Sequence, residues 1–236
     1  VFSLVVPMAL QNLINVGVTA ADVVMLGKVS EKVLSGASLA GQIQYIMVLF
    51  LFGLTSGATV LTAQYWGKGD KTTIEKILAL GIRSAVIVTA IFTVAAFAIP
   101  ASLMRIFTND PQVIAEGVKY LRIVACSYII MGITNVYLYV MRSIERVIVA
   151  TVVYLVSFLC NVVFNAIFIF GLFGFPALGI RGAAIATLIA RIMELVLVCG
   201  YAKLYNKDVK FRVHYFFHKD KLLVSDLLVY YLPVAL

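Results

Sequence analysis

The sequence predicts an all-α membrane protein: a six-helix transmembrane bundle followed by the start of a seventh span. Three observations carry this. Of the 236 residues, 63% are hydrophobic and 13% charged, with a mean hydropathy of +1.04, whereas a soluble domain is about half apolar and about a quarter charged. Residues 1–21, 33–67, 84–104, 123–141 and 147–180 contain no Asp, Glu, Lys, Arg or His, and a helix needs about 20 apolar residues to cross the hydrocarbon core. A sixth apolar stretch, 182–202, is interrupted only by Arg191 and Glu194.

These stretches place spans near 2–26, 39–64, 78–102, 119–141, 147–171 and 180–202, with a seventh beginning at about 225. The first is too long and lacks the small-residue pattern of a cleavable signal. It carries Pro7 in its inner part, where a proline either bends a helix or merely starts one. The second holds Thr55, Thr59 and Thr62 beside Gly53 and Gly57, a composition suited to close helix packing. It ends at Tyr65 and Trp66, rings that favour the headgroup level, and turns through "GKGDK" (67–71). Before the fourth span, "TNDPQVIAEGVKYLR" (108–122) reads as a helix start. Asn109 or Asp110 can cap it, Pro111 suits its first turn, and Glu116 and Lys119 pair at i,i+3. The turn after that span, "MRSIERVIVAT", has neither glycine nor proline. Residues 205–224 mix aromatics with basic side chains and read as an interfacial amphipathic linker. His214 and His218 within it have i,i+4 spacing but no acidic or thiol partner, so exposed interfacial histidines are expected. The organisation is therefore 1–204 as a six-span lobe, 205–224 as a linker and 225–236 as the start of a further span. The first residue is Val1 rather than Met and the last segment is cut within an apolar run, as expected of a piece of a longer protein.

The net charge of +8 is topological and calls for no nucleic-acid partner. Twelve basic residues (Lys68, Lys71, Lys76, Arg83, Arg142, Arg146, Lys203, Lys207, Lys210, Arg212, Lys219 and Lys221) follow the even-numbered spans, against six (Lys28, Lys32, Arg105, Lys119, Arg122 and Arg181) at the other ends. Positive residues remain cytoplasmic, which puts the N-terminus inside a multi-pass protein of the cell (inner) membrane. Cys126, Cys160 and Cys199 lie in spans without CxxC spacing and read as small buried hydrophobes. No cofactor is implied.

Within the spans, polar side chains fall on faces. Gln11, Asn15, Thr19 and Asp22 follow one another at steps of four, four and three in the first span, and Ser157, Asn161 and Asn165 are i,i+4,i+8 in the fifth. Thr187, Arg191 and Glu194 share a face in the sixth, where the arginine and glutamate read as a neutralising pair. Asp22 and Asn165 each lie within about 10 Å of the outer end of their span at helical rise, so the two stripes can meet. A carboxylate at mid-membrane costs about 2.5–3.5 kcal/mol, which a bound proton or cation offsets. An all-oxygen pocket of Asp22, Asn161 and Asn165 suits a hard cation. The alternatives are that Asp22 simply reaches the outer interface and that the asparagines only join helices.

The stretches "VPMALQNL", "TAADVVMLGKVSEKVLSGASLAGQI", "LFGLTSGATVLTAQYWGKGD", "FTNDPQVIAEGVKYLRI", "NVVFNAIFIFG" and "LGIRGAAIATLIAR" resemble the multidrug and toxic compound extrusion (MATE) family, in order along almost the whole chain and nearest to bacterial NorM-like members. The resemblance implies a twelve-span transporter of two six-span lobes whose central cleft opens alternately to each side, with this chain matching the N-terminal lobe. It implies a coupling-ion or proton site at Asp22, completed by Asn161 and Asn165, with Pro7 as a helix-bending residue. Gln11, Asn15, Thr19, Ser157 and Thr187 are candidates for the cavity wall, the last by a loose match. Some relatives carry a second Asp where this chain has Asn165.

The expected function is therefore a Na⁺- or H⁺-coupled antiporter exporting small organic, chiefly cationic, compounds, with membrane lipid and a C-terminal lobe of the same polypeptide as partners. The alternative within transport is a flippase for lipid-linked precursors, which calls for a larger and more cationic cavity. An enzyme is not expected: HExxH, GxSxG and a His with paired carboxylates are all missing from the sequence. A passive channel would conduct without coupling.

Overall fold

The computed structural model describes residues 2–217 and Leu223. The expected seventh span at 225–236, His218 and the end of the linker lie outside the described residues. Nine helices form among the described residues: α1 (Phe2–Gly27), α2 (Glu31–Gly67), α3 (Lys71–Ala98), α4 (Pro100–Arg105), α5 (Pro111–Val124), α6 (Tyr128–Ser143), α7 (Val147–Phe170), α8 (Ile180–Leu204) and α9 (Val213–Phe217). Six segments are long and apolar enough to cross a membrane, α5 and α6 forming one of them (Pro111–Ser143). The chain is a multi-pass membrane protein with an all-α fold.

The boundaries differ from the apolar-run estimate where local chemistry outweighs hydropathy. The second helix begins at Glu31 rather than 39, because Ser30 caps it by accepting the Val33 N–H at 3.1 Å. Its extra turns pack on α5 through two glycines: a Cβ at Gly36 would sit 2.8 Å from Gly117 N. The third helix starts at Lys71, seven residues before the expected 78, with Asp70 accepting the Thr73 N–H at 3.0 Å. It stops at Ala98 rather than 102, since Pro100 opens a separate short helix and Ile99 leaves helical geometry. The fourth span starts at Pro111 instead of 119. Asp110 is its cap, accepting the Gln112 and Val113 N–H groups, and one 3-10 turn (Ala125–Ser127) joins α5 to α6. In the glycine-free turn before α7, Glu145 takes a positive φ of 64°, and Arg146 N donates to Met141 O at 2.9 Å. A side chain rather than glycine occupies the left-handed position there.

The core runs through α2, α3 and α6, where Met47, Ile77, Leu78, Leu138 and Met141 are fully buried. A smaller cluster of Leu26, Ala37, Ile169, Ile180 and Ala183 closes the less basic end. The first helix is peripheral: Leu13 and Val16 are 67% and 65% exposed. It remains helical through Pro7, whose carbonyl accepts the Thr151 hydroxyl at 3.5 Å.

Residues 205–212, the first part of the expected linker, form an anchored turn ahead of α9. Asn206 is buried, and its side chain donates to Tyr137 Oη at 2.9 Å and Val209 O at 2.8 Å while accepting the Asp208 and Val209 N–H groups. Asp208 pairs with Lys71 and Arg146, both at 2.9 Å. Buried Glu75 accepts the Lys210 N–H at 3.0 Å and pairs with Arg212 at 2.8 Å. The segment is thus tied to the basic ends of α3, α6 and α7.

Candidate functional site

Helices α1, α2, α5, α7 and α8 enclose a cleft of about 740 Å³. Its position follows from the polar faces: where each helix turns a carboxamide, hydroxyl or carboxylate inward, apolar packing cannot close the gap without stranding that group. Beside it α7 and α8 approach closely: a Cβ on Gly182 would fall 2.4 Å from Phe168 O. That contact sets the level at which the two helices face each other. Ser157 Oγ donates to Ala190 O at 3.4 Å, and one turn further along, Asn161 Nδ2 donates to Thr187 Oγ1, also at 3.4 Å.

Asp22 of the peripheral α1 completes this row. Its Oδ1 accepts from Asn165 Nδ2, which also donates to Asn161 Oδ1 at 3.0 Å. Asp22, Asn165, Asn161 and Thr187 therefore form one hydrogen-bonded chain across three helices, and the stripes on α1 and α7 do meet. The Asn165 Oδ1 atom is buried without a hydrogen-bond partner among the described residues, so an unused acceptor sits beside the carboxylate. Tyr120 adds a hydroxyl to the same wall. One carboxylate among neutral oxygens suits a proton or a monovalent hard cation. Among the described residues no three His, Cys, Asp or Glu side chains cluster as a divalent metal would want.

Of the other residues expected on the wall, Asn15, Thr19 and Ser157 line the cleft, with Thr19 Oγ1 donating to Asn15 O at 3.3 Å. Gln11 does not. It is 1% exposed in the seam between α1 and α7, donating to Thr151 Oγ1 at 2.7 Å and Val147 O at 3.3 Å. Its face is shared with Asp22, but at the basic end α1 lies flush on α7 and a primary amide there has to bond across the seam. Arg191 and Glu194 pair at 2.7 Å, and both line the cleft. Tyr120 and Tyr154 also stand on the wall. Tyr154 lies three residues before Ser157 and seven before Asn161, so the helical period already placed it on the α7 stripe, whereas Tyr120 lies between Lys119 and Arg122 in the segment that reads as a helix start, and only helix rotation turns it inward.

A family model described as MatE matches residues 7–167. Among curated relatives, a "Probable multidrug resistance protein NorM" of Rhizobium meliloti (strain 1021) is 28% identical over 198 residues, covering 84% of this chain and 42% of that protein. A protein of the same description from Thermotoga maritima is 27% identical over 195 residues, covering 80% of this chain and 41% of its own length. The fold is similar to a solved structure described as the outward-facing conformation of a multidrug resistance MATE family transporter of the MOP superfamily (TM-score 0.87, 20% identity, 99% of this chain and 51% of that one). It is similar also to a MATE in the bent conformation (TM-score 0.88, 19% identity, 99% and 52%). At such identities the structural likeness speaks for the fold alone. The chain spans about half or less of the length of these proteins.

Proposed function

The chain belongs to the MatE family, and on that footing we propose that it forms one lobe of an ion-coupled exporter of small organic cations working by alternating access. Residues 1–204 are the lobe, 205–224 the linker, and a second lobe of the same polypeptide closes the cleft from the side on which α1 is exposed. The basic residues at the even-numbered span ends orient the N-terminus to the cytoplasm of the cell (inner) membrane. The observation that carries the reading is the bonded row of Asp22, Asn165, Asn161 and Thr187 beside an unused Asn165 oxygen. An ion arriving at Asp22 has oxygens waiting for it. By neutralising the carboxylate it changes what holds α1 to α7, which biases the lobe between its two facings. Each charge crossing 100 mV supplies about 2.3 kcal/mol, a concentration ratio of roughly fifty for one coupled ion.

The test is efflux of a fluorescent organic cation from vesicles holding the intact transporter, driven separately by a Na⁺ and by a pH gradient, with Asp22→Asn alongside. Drive by one of the two ions that vanishes in the variant is expected. Gradient-driven efflux that survives Asp22→Asn removes Asp22 from coupling. Absence of coupled efflux under either gradient turns the reading toward lipid-linked precursors as cargo.

A further inference from the structure

The basic-end half of the cleft holds a charge pair that the Asp22 row does not use. Glu194 lines the cleft with its side chain only 2% exposed. Its Oε1 accepts from Arg191 Nη1 at 2.7 Å. The two residues are i,i+3 on α8, so the pair joins no helices and its opening disturbs no packing seam. A guanidinium facing a carboxylate can make two parallel bonds, and the local i,i+3 geometry delivers one. Tyr154 lines the same region and carries the Arg142 guanidinium over its ring at 5.9 Å.

Depth separates this pair from Asp22. Asn165, which bonds Asp22, lies eight residues beyond Ser157 on α7, about 12 Å along the axis. Ser157 is level with Ala190, and Glu194 lies four residues further along α8 toward the basic end, another ~6 Å. The two carboxylates of the cleft are separate sites.

Resting on the exporter reading above, we propose that Glu194 is a recognition site for planar organic cations of the amidinium or guanidinium class, and that Arg191 fills it as a tethered competitor. The occupant seen in the structure is itself a guanidinium, so the site accommodates that shape and charge. A free amidinium, unconstrained by the i,i+3 tether, can add the second bond. Its arrival releases Arg191 into the cleft.

The experiment is equilibrium binding of 4-aminobenzamidine, a fluorescent amidinium, to the intact transporter in detergent without any ion gradient. Glu194→Gln is expected to weaken binding by about tenfold or more, as loss of one partner of a buried pair does. Arg191→Gln is expected to tighten it by about tenfold, because a tethered group competes at high effective concentration. Loss of a structural ion pair would lower binding in both variants, so a fall in Arg191→Gln overturns the assignment, as does unchanged binding in Glu194→Gln. Tetraphenylphosphonium, which has the charge but no N–H groups, should gain much less in Arg191→Gln. An equal gain would mean a general field effect and would also overturn it. Arg191→Lys, which retains a tethered charge, should stay within a few-fold of the wild type. Asp22→Asn is read by gradient-driven efflux alone, apart from the binding assay. Coupling that survives in this variant counts against the exporter reading alone, whereas wild-type protein that moves ions but binds no amidinium counts against Glu194 alone.

Discussion

Replacing Gly182 with alanine tests whether the α7–α8 approach sets the geometry of the cleft. The added Cβ would lie 2.4 Å from Phe168 O and 2.9 Å from Ile169 N, where ordinary contact begins at 3.4 Å. The helices must therefore part by about 1 Å at this level, and because the obstructing atoms are backbone, no rotamer change relieves the clash. Overpacking of this kind costs about 1–3 kcal/mol, while alanine's better helix propensity returns up to about 1 kcal/mol. A net loss of up to about 2 kcal/mol follows. Gly200 lies on the same helix, and a Cβ added there would meet nothing within 4 Å, so Gly200→Ala should keep only the propensity gain. Thermal unfolding of both variants in detergent should rank Gly200→Ala at or above the wild type and Gly182→Ala below it. The hydrogen bonds of the seam, already 3.4 Å at Asn161–Thr187 and Ser157–Ala190, should weaken with it. A Gly182→Ala protein as stable as the wild type would refute the idea that this contact sets the spacing.

Three further outcomes concern the turns at the basic end. Glu75→Ala removes the carboxylate that accepts the Lys210 N–H. A hydrogen bond to a charged group contributes about 1.5–3 kcal/mol, so hydrogen exchange at the Lys210 amide should accelerate by about 10- to 100-fold, and no acceleration would mean that the turn is held elsewhere. Hydrogen bonds from Lys71 and Arg146 keep the Asp208 carboxyl below the usual carboxylate range. A lowered folded-state value means the contribution is complete above the unfolded value of about 3.9 and is lost as pH falls through the folded one. The difference in exchange protection of 205–212 between wild type and Asp208→Asn should persist at pH 5 and disappear only in stronger acid. Its disappearance by pH 5 would contradict the sign. Glu145, exposed with φ 64°, sits where a side chain costs about 1–2 kcal/mol, so Glu145→Gly should raise the unfolding midpoint and Glu145→Val lower it.

What the sequence determined by itself are the features whose cause lies within one helical turn or one apolar run. The number of spans follows from how long the chain goes without charge. The sharing of a face by Asp22 with Thr19 and Asn15, and by Asn161 with Asn165, follows from the helical period. The Asp110 cap and the Arg191–Glu194 pair need only neighbours two or three residues away. The meeting of the α1 and α7 stripes was a geometric allowance until the Asn165–Asp22 bond joined them. Tertiary structure alone decided the rest, because each case depends on which surface a helix is pressed against. Gln11 shares a face with Asp22 yet is buried in the α1–α7 seam. Tyr120 lies among the charged residues of a helix start yet stands on the cleft wall with Thr187. Residues 205–212 look like a linker in composition, but Asn206, Asp208 and Glu75 hold them on the bundle. Periodicity states which residues look the same way. Only the packing of a second helix, close at Gly182 and open at Asp22, states what they look at.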